Sequence, residues 1–520
     1  MNRHIALGLG SLTVVIVALG LSPTSARAQD VENGQAIYEK WCTGCHGDQG
    51  DGNGEAAAYM LPRPRDFTGA VYQIRTTASG ELPTDADLRR VIGVGMPGTA
   101  MPGWEEKLSG GEIEDVVAYV KSFSRFFGGS APAPQRIEAT TAPRVTDEGP
   151  AEGRRLFVDE LECVRCHGDA GRGDGTSAAD LTDDWGFPIR ATDLSENWNF
   201  NGGGSVESIY MRLRTGLDGT PMPSQSDAVD AGVITDVQLW LTAQYVRSLS
   251  PDKLPRVRDV IRAGLVTGDL PSGPADAAWE GVEPFFVPLV GQIIKAPRAF
   301  SPTVDNVWVQ AQHNGQEIAI RFSWHDPTDS PDAAWDVFFD RFTDAMTDVD
   351  GPHMPQQGPD IFSVMFPLQP SEGMELPYFL GGDARRPVYQ FRWTSQPNAL
   401  EVGTATGMGS FSGSASSDVR YLADFDAGEW SLQITRSLTT SQDSPATTFV
   451  PGEPIPIAFY AADGTSGEDD MRGSVSAWYS IYLDVPTPAS VYIAPVIATV
   501  LTAVLGLALI WQTKKKERNS

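Results

Sequence analysis

Cys42-Thr43-Gly44-Cys45-His46 and Cys163-Val164-Arg165-Cys166-His167 stand 121 residues apart in a chain of 520. Between them they hold all four cysteines. Two thiols on a short turn can add to the two vinyl groups of one haem. The next residue, a histidine, then lies under the iron and supplies one axial nitrogen, so the pattern reads as c-type haem attachment. Zinc would ask for further Cys or His nearby, and the chain has six histidines in all. A redox dithiol would need no adjacent histidine.

The repeat extends outward from these motifs. Gly/Asp-rich loops follow both, Gly47 to Gly54 and Gly168 to Gly175. Gly95-Met96-Pro97-Gly98-Thr99-Ala100-Met101-Pro102 then aligns with Gly216-Leu217-Asp218-Gly219-Thr220-Pro221-Met222-Pro223. The first cysteine is 59 residues from the aligned methionine in both. Met96 falls opposite Leu217, whereas Met101 falls opposite Met222. The predicted axial pairs are therefore His46 with Met101 and His167 with Met222. A thioether opposite histidine raises the reduction potential and leaves no open position for substrate, which suits an electron carrier. Each copy ends in a helical pattern, Ile113, Val116, Val117 and Val120 in one, Val233, Val237, Leu239, Leu241 and Tyr245 in the other.

Both copies resemble class I cytochromes c over about 100 residues each. The resemblance rests on Cys-x-x-Cys-His, the Gly-Thr-x-Met-Pro loop and the terminal helix. It implies a small all-α fold around each haem. Arg65 and Arg190 are candidates to pair with haem propionates; an ordinary surface arginine is the alternative.

The two ends read differently from each other. Arg3 precedes an uncharged, mostly apolar run from Ile5 to Leu21, and Ala26-Arg27-Ala28 fits a small-x-small cleavage site. Residues 1–28 are thus an expected signal peptide, with an uncleaved anchor as the alternative. Val491 to Trp511 is uncharged and long enough to cross about 30 Å of hydrocarbon as a helix. Lys514-Lys515-Lys516 follows, which assigns the tail 512–520 to the cytoplasm and the bulk of the chain to the periplasmic side of the cell membrane. The net charge of -28 excludes nucleic acid as a natural partner and favours basic proteins, although solubility alone would also account for it.

The predicted organisation is cytochrome c module one over 29–127, a Pro/Ala/Thr-rich linker over 128–148, and module two over 149–250. A connector with some helical pattern follows over 251–274. From 275 to 487 short β-rich runs alternate with turn residues, which suggests an all-β sandwich. The runs are Val307–Gln312, Glu317–Trp324, Ile361–Phe366, Val388–Trp393, Trp430–Ile434 and Ile455–Tyr460.

This third region resembles the haem-binding γ subunits of the ethylbenzene dehydrogenase group. That group includes electron-transfer subunits of selenate, chlorate and dimethylsulfide enzymes and related domains of nitrite oxidoreductases. The resemblance is carried by Trp279, Ile318 to Thr328, Pro377-Tyr378-Phe379-Leu380-Gly381-Gly382-Asp383, Gly428-Glu429-Trp430, Arg436-Ser437-Leu438 and Ser476-Ala477-Trp478-Tyr479. It implies a β-sandwich holding a b-type haem between Met and Lys. Here those ligand positions align with Gly381 and Gly473, which have no side chain to bind iron. Met354, Met374, Met408, Met471, His313, His325 and His353 are the substitutes the region offers. The expectation is two covalent c haems with no b haem, and a sandwich that serves as a docking platform.

The expected function is a membrane-anchored dihaem cytochrome passing single electrons. The resemblance points to the electron-transfer subunit of a molybdenum oxidoreductase, of the nitrite oxidoreductase, selenate, chlorate or dimethylsulfide type. The molybdopterin-containing and iron–sulfur subunits would then be partners, together with other redox proteins. The alternative is a stand-alone membrane cytochrome linking a quinol-oxidising complex to a terminal oxidase. An enzyme acting through the sandwich ranks last, for want of an acid–base or nucleophile constellation.

Overall fold

The computed structural model describes residues 29–128, 133–146, 149–346, 355–369, 375–439, 448–486 and 489–519. The expected signal peptide lies outside them, as do Met354, Met374 and His353. Residues 29–250 contain helices and turns but, among those described, no strand beyond isolated bridges.

In the first half α1 (Val31–Trp41) leads into the single turn α2 (Thr43–His46), followed by α3 (Asp85–Val94) and α4 (Gly110–Ser122). Capping boxes start α3 at Thr84 with Asp87 and α4 at Ser109 with Glu112, satisfying amides that the helix leaves unpaired. α4 buries Ile113, Val116, Val117 and Val120. It crosses α1 so closely at Gly34 that a Cβ there would lie 2.0 Å from the Asp115 carbonyl oxygen.

The second half repeats this with α5 (Gly149–Arg155), α6 (Val164–His167), α7 (Val206–Thr215), α8 (Ser226–Asp230) and α9 (Asp236–Ser248). The matching crossing is Gly153 against the Leu241 carbonyl. One expectation needs correcting here. Val233 and Val237 are exposed, at 75% and 52%. The Thr235–Gln238 capping box starts α9 at Asp236, so the inward face instead carries Leu239, Trp240, Ala243 and Tyr245. Trp240 stacks on Tyr210 at 3.9 Å.

Among the described residues, the remainder holds fourteen strands. They are β1 (Val260–Leu265), β2 (Phe285–Pro288), β3 (Val290–Gly291), β4 (Asn306–His313), β5 (Glu317–His325), β6 (Ile361–Pro367) and β7 (Val388–Thr394). After them come β8 (Ala399–Ala405), β9 (Ser412–Ser414), β10 (Val419–Asp426), β11 (Glu429–Ser437), β12 (Pro454–Ala462), β13 (Ser474–Val475) and β14 (Tyr479–Leu483). All six predicted β runs lie within strands. They form one connected mixed sheet; eleven run in the order β10-β11-β5-β4-β1-β14-β12-β6-β7-β8-β9, while β2 pairs with β4 and β13 pairs with β12 and β3.

Two features differ from the sequence reading. The expected connector is not helical: β1 lies inside it and pairs in parallel with both β4 and β14. Its Val260-Ile261-Arg262-Ala263 alternates exposed with buried, a period of two that seats a strand. The region is also not purely β, because α10 (Asp336–Met346) is inserted between β5 and β6. Rings on strands that are not neighbours meet across the core. Trp324 of β5 stacks on Phe362 of β6 at 4.4 Å, and Trp393 of β7 meets Trp430 of β11 at 4.8 Å. The sheet therefore curls back on itself around an aromatic core.

α11 (Ala489–Arg518) is the one described helix long and apolar enough to cross a membrane. Its best window has a mean hydropathy of 2.5 and none of it is buried.

Candidate functional site

The two Cys-x-x-Cys-His motifs form the same object twice. In each, the histidine amide donates to the first cysteine's carbonyl at 2.9 Å, closing one helical turn. The loop then folds back: Gly52 donates to the His46 carbonyl and Gly54 to that of Cys45. Gly173 and Gly175 repeat both bonds on His167 and Cys166. Glycine is required at the last position. A Cβ on Gly54 or on Gly175 would stand 2.4 Å from backbone oxygens of the motif itself.

The histidines are set for ligation. His46 Nδ1 lies 3.0 Å from the Arg65 carbonyl, and His167 Nδ1 lies 3.0 Å from the Thr192 carbonyl. A carbonyl can only accept, so each Nδ1 carries the proton and each Nε2 keeps its lone pair. Burial lowers both ring pKa values and favours the neutral, ligating form. The four cysteines form no disulfide. Burial, assisted by Cys45, pushes Cys42 up to about 11, and burial pushes Cys163 up to about 12. Redox dithiols depend on a lowered thiol pKa, so the shift runs against that chemistry.

The methionine loops also match. Met96 N–H donates to the Met101 carbonyl at 3.0 Å, and Leu217 N–H to the Met222 carbonyl at 3.1 Å. The Thr99 and Thr220 hydroxyls accept from the Met101 and Met222 amides at 3.2 and 3.3 Å. Both methionines are half-buried, and Met222 packs against the apolar core of its half. Thiols, a histidine with a free Nε2 and a tethered methionine make a donor set that fits haem c in both halves.

The two halves dock through residues the motif reading passed over. Arg75, fully buried, makes a 2.7 Å ion pair with Asp218 of the second methionine loop. It also donates to the carbonyls of Tyr72, Ala78 and Thr215. Arg65 is not an ordinary surface arginine. Its guanidinium lies over the Trp185 ring at 4.6 Å, across the same interface. Arg190 reaches the sheet instead, donating to Ser466 Oγ at 2.5 Å and covering Phe338 at 4.9 Å.

Comparison with known proteins follows this division. Residues 29–120 match the cytochrome C oxidase, cbb3-type, subunit III family, and 150–250 match cytochrome c. Residues 276–389 match the ethylbenzene dehydrogenase family. The chain joins cytochrome c domains to an ethylbenzene dehydrogenase-type domain. Haem and electron transport go with the two cytochrome c domains.

The cytochrome is 26% identical over 242 residues to a protein of Haloferax mediterranei described as a respiratory nitrate reductase heme subunit, covering 46% of this chain and 77% of that one. It is 29% identical over 223 residues to the cbb3-type cytochrome c oxidase subunit CcoP of Rhodobacter capsulatus, covering 42% of this chain and 61% of that one. A chain of the reducing HAO-like protein complex of Kuenenia stuttgartiensis is 40% identical. That match covers 42% of the cytochrome and 96% of the other chain at a TM-score of 0.40.

The third domain's aligned ligand positions do not fit a b haem. A Cβ on Gly473 would lie 2.5 Å from the Ala461 carbonyl oxygen and 2.6 Å from Tyr460 Oη. Gly381 has φ of +79°, and a Cβ there would meet Gly407 at 3.0 Å. The described substitutes are engaged in packing or backbone contacts. His313 Nε2 faces the Asp484 carbonyl at 2.9 Å and His325 Nε2 faces that of Arg172 at 2.6 Å. Met408 packs against a core that includes Leu380 and Val475, and Met471 Sδ closes against Gly409.

Proposed function

We propose that this chain is a membrane-anchored dihaem cytochrome that passes single electrons as the redox subunit of a larger oxidoreductase. Cys42 and Cys45 bind one haem covalently, and Cys163 and Cys166 the other. His46 and Met101 ligate the first iron, His167 and Met222 the second. What supports this above all is the cradle repeated at an offset of 121 residues, down to the histidine–carbonyl and methionine–threonine hydrogen bonds. When bound, the haems supply the one-electron chemistry. The protein holds each imidazole in one tautomer, shields each site with the apolar faces of its helices, and keeps the two halves in one docked body through Arg75 and Asp218.

α11 anchors the chain, with the haem domains on the periplasmic side. The catalytic partner is a molybdopterin-containing subunit with an iron–sulfur subunit. The third domain, a curled mixed sheet carrying the inserted helix α10, is the platform on which they dock. The similarity to a nitrate reductase heme subunit supports this reading. The similarity to an oxidase subunit favours a second one, in which the cytochrome delivers electrons to a terminal oxidase. Affinity purification from solubilised membranes separates them. Co-purification of a large molybdenum-containing subunit is expected; an oxidase in its place, or the cytochrome alone, selects the second. Pyridine haemochrome spectra should give two c haems per chain and no stoichiometric b haem.

A further inference from the structure

Three carboxylates meet inside the sheet, apart from both haem cradles. Asp326 follows β5, Asp360 precedes β6 and Asp463 follows β12. Their exposures are 0%, 0% and 1%. One oxygen from each lies within 4.8 Å of one from each of the others. Asp360 accepts from the amides of Ser330 (2.9 Å) and Gly464 (3.0 Å) and from Trp430 Nε1 (3.0 Å). Asp463 accepts from the Thr465 amide at 2.8 Å. Asp326 Oδ1 accepts from the Thr328 amide at 3.1 Å, but its Oδ2 is fully buried with no hydrogen-bond partner. The hydroxyls of Thr328, Ser330 and Thr465 lie 2.8–3.1 Å from one another beside the cluster.

An ionised carboxylate with a buried, unpartnered oxygen, set among two further buried carboxylates, is strongly unfavourable unless a proton or a cation neutralises the cluster. We propose that this cluster binds one calcium ion through Asp326 Oδ2, an oxygen each from Asp360 and Asp463, and neighbouring hydroxyls. The donors are all oxygen, with no imidazole or thiol among them, which selects a hard cation over zinc or copper. The three carboxylates are buried and every donor named is a protein oxygen, which suits calcium; magnesium keeps several of its waters and seldom occupies such a cage. The ion joins the ends of β5, β6 and β12. It also fixes the turn at Ser466, the residue that Arg190 of the second cytochrome domain grasps. Its role is structural: it stiffens the seat on which that domain rests.

The test uses the full-length, detergent-solubilised holoprotein, purified with calcium and then desalted. Elemental analysis should find about one calcium per chain. Chelation should lower the sheet's thermal transition by about 5–10 °C, and calcium, but not equimolar magnesium, should restore it. Asp326→Asn keeps the side chain's shape; it should lose the calcium and the response to chelator while its covalent haem content stays unchanged. A wild-type chain without divalent ion whose melting ignores both chelator and calcium would overturn the proposal. So would stoichiometric magnesium in place of calcium, or full calcium retention by Asp326→Asn. If that variant does not accumulate, the wild-type measurements decide alone.

Discussion

Met101 and Met222 show how one residue is chosen among chemically equal ones. Met96 and Met101 sit five positions apart, and the Met96 amide donates to the Met101 carbonyl, so both stand at the mouth of one loop. The second copy has leucine at the Met96 position and keeps the same bond. The bond therefore needs only backbone at that place, whereas methionine recurs at 101 and 222. Met101→Ala should lower the potential of the first haem by a sizeable part of the ~0.8 V span that axial ligands command. Spectroelectrochemical titration would resolve it, with the second haem as internal control, and Met222→Ala should do the converse. An unmoved potential would place the ligand elsewhere.

Among the elements, α9 illustrates what periodicity misses. Its apolar residues alone suggested a start near Val233, yet Thr235 accepts from the Gln238 amide and sets the register. That register turns Trp240 inward onto Tyr210 and leaves Val237 in solvent. Removing the cap with Thr235→Ala should cost about 1 kcal/mol, measured as a shift in the denaturation midpoint with no change in haem content. Strand β1 is the opposite case. Six residues with a parallel partner on each side carry little local signal. Both partners come from much later in the chain, so no window around Val260 could reveal them.

At the scale of the molecule, the domains are joined through buried charge. Asp218 holds Arg75 and also accepts from Ser79 Oγ and the Gly80 amide. Asp218→Ala leaves the buried guanidinium without its counter-ion and should weaken the joint by about 3 kcal/mol. Urea unfolding followed at both haems would show their transitions separating. Where the second cytochrome domain meets the sheet, Glu196 faces Asp305 and Asp193, with the Asn306 and Asn199 side chains donating to it. Burial first, then those carboxylates, raise the Glu196 pKa well above its usual range; burial also raises that of Asp305, near His325. The folded state therefore keeps protons that the unfolded chain releases at about pH 4. Stability from this joint should fall as pH rises from about 4 through the raised values. Melting temperatures at pH 5 and 7.5 should differ in that sense, and Glu196→Gln, neutral at both, should flatten the difference.

The sequence by itself determined the two Cys-x-x-Cys-His cradles on which the proposed haem attachment rests, because they depend on residues within five positions of one another and on a loop that the repeat locates. It also determined six of the strands, through local β composition, and the apolar terminal helix, through length and lack of charge. Only the tertiary structure decided how these parts combine. Arg75 meets Asp218, Arg190 meets Ser466, and Asp326, Asp360 and Asp463 converge from three strand ends. Each of those residues, taken alone, is an ordinary polar side chain in a chain rich in acids. Contacts across such separations exist only once the sheet has curled and the domains have docked, since burial, not spacing, is what gives these charges their partners.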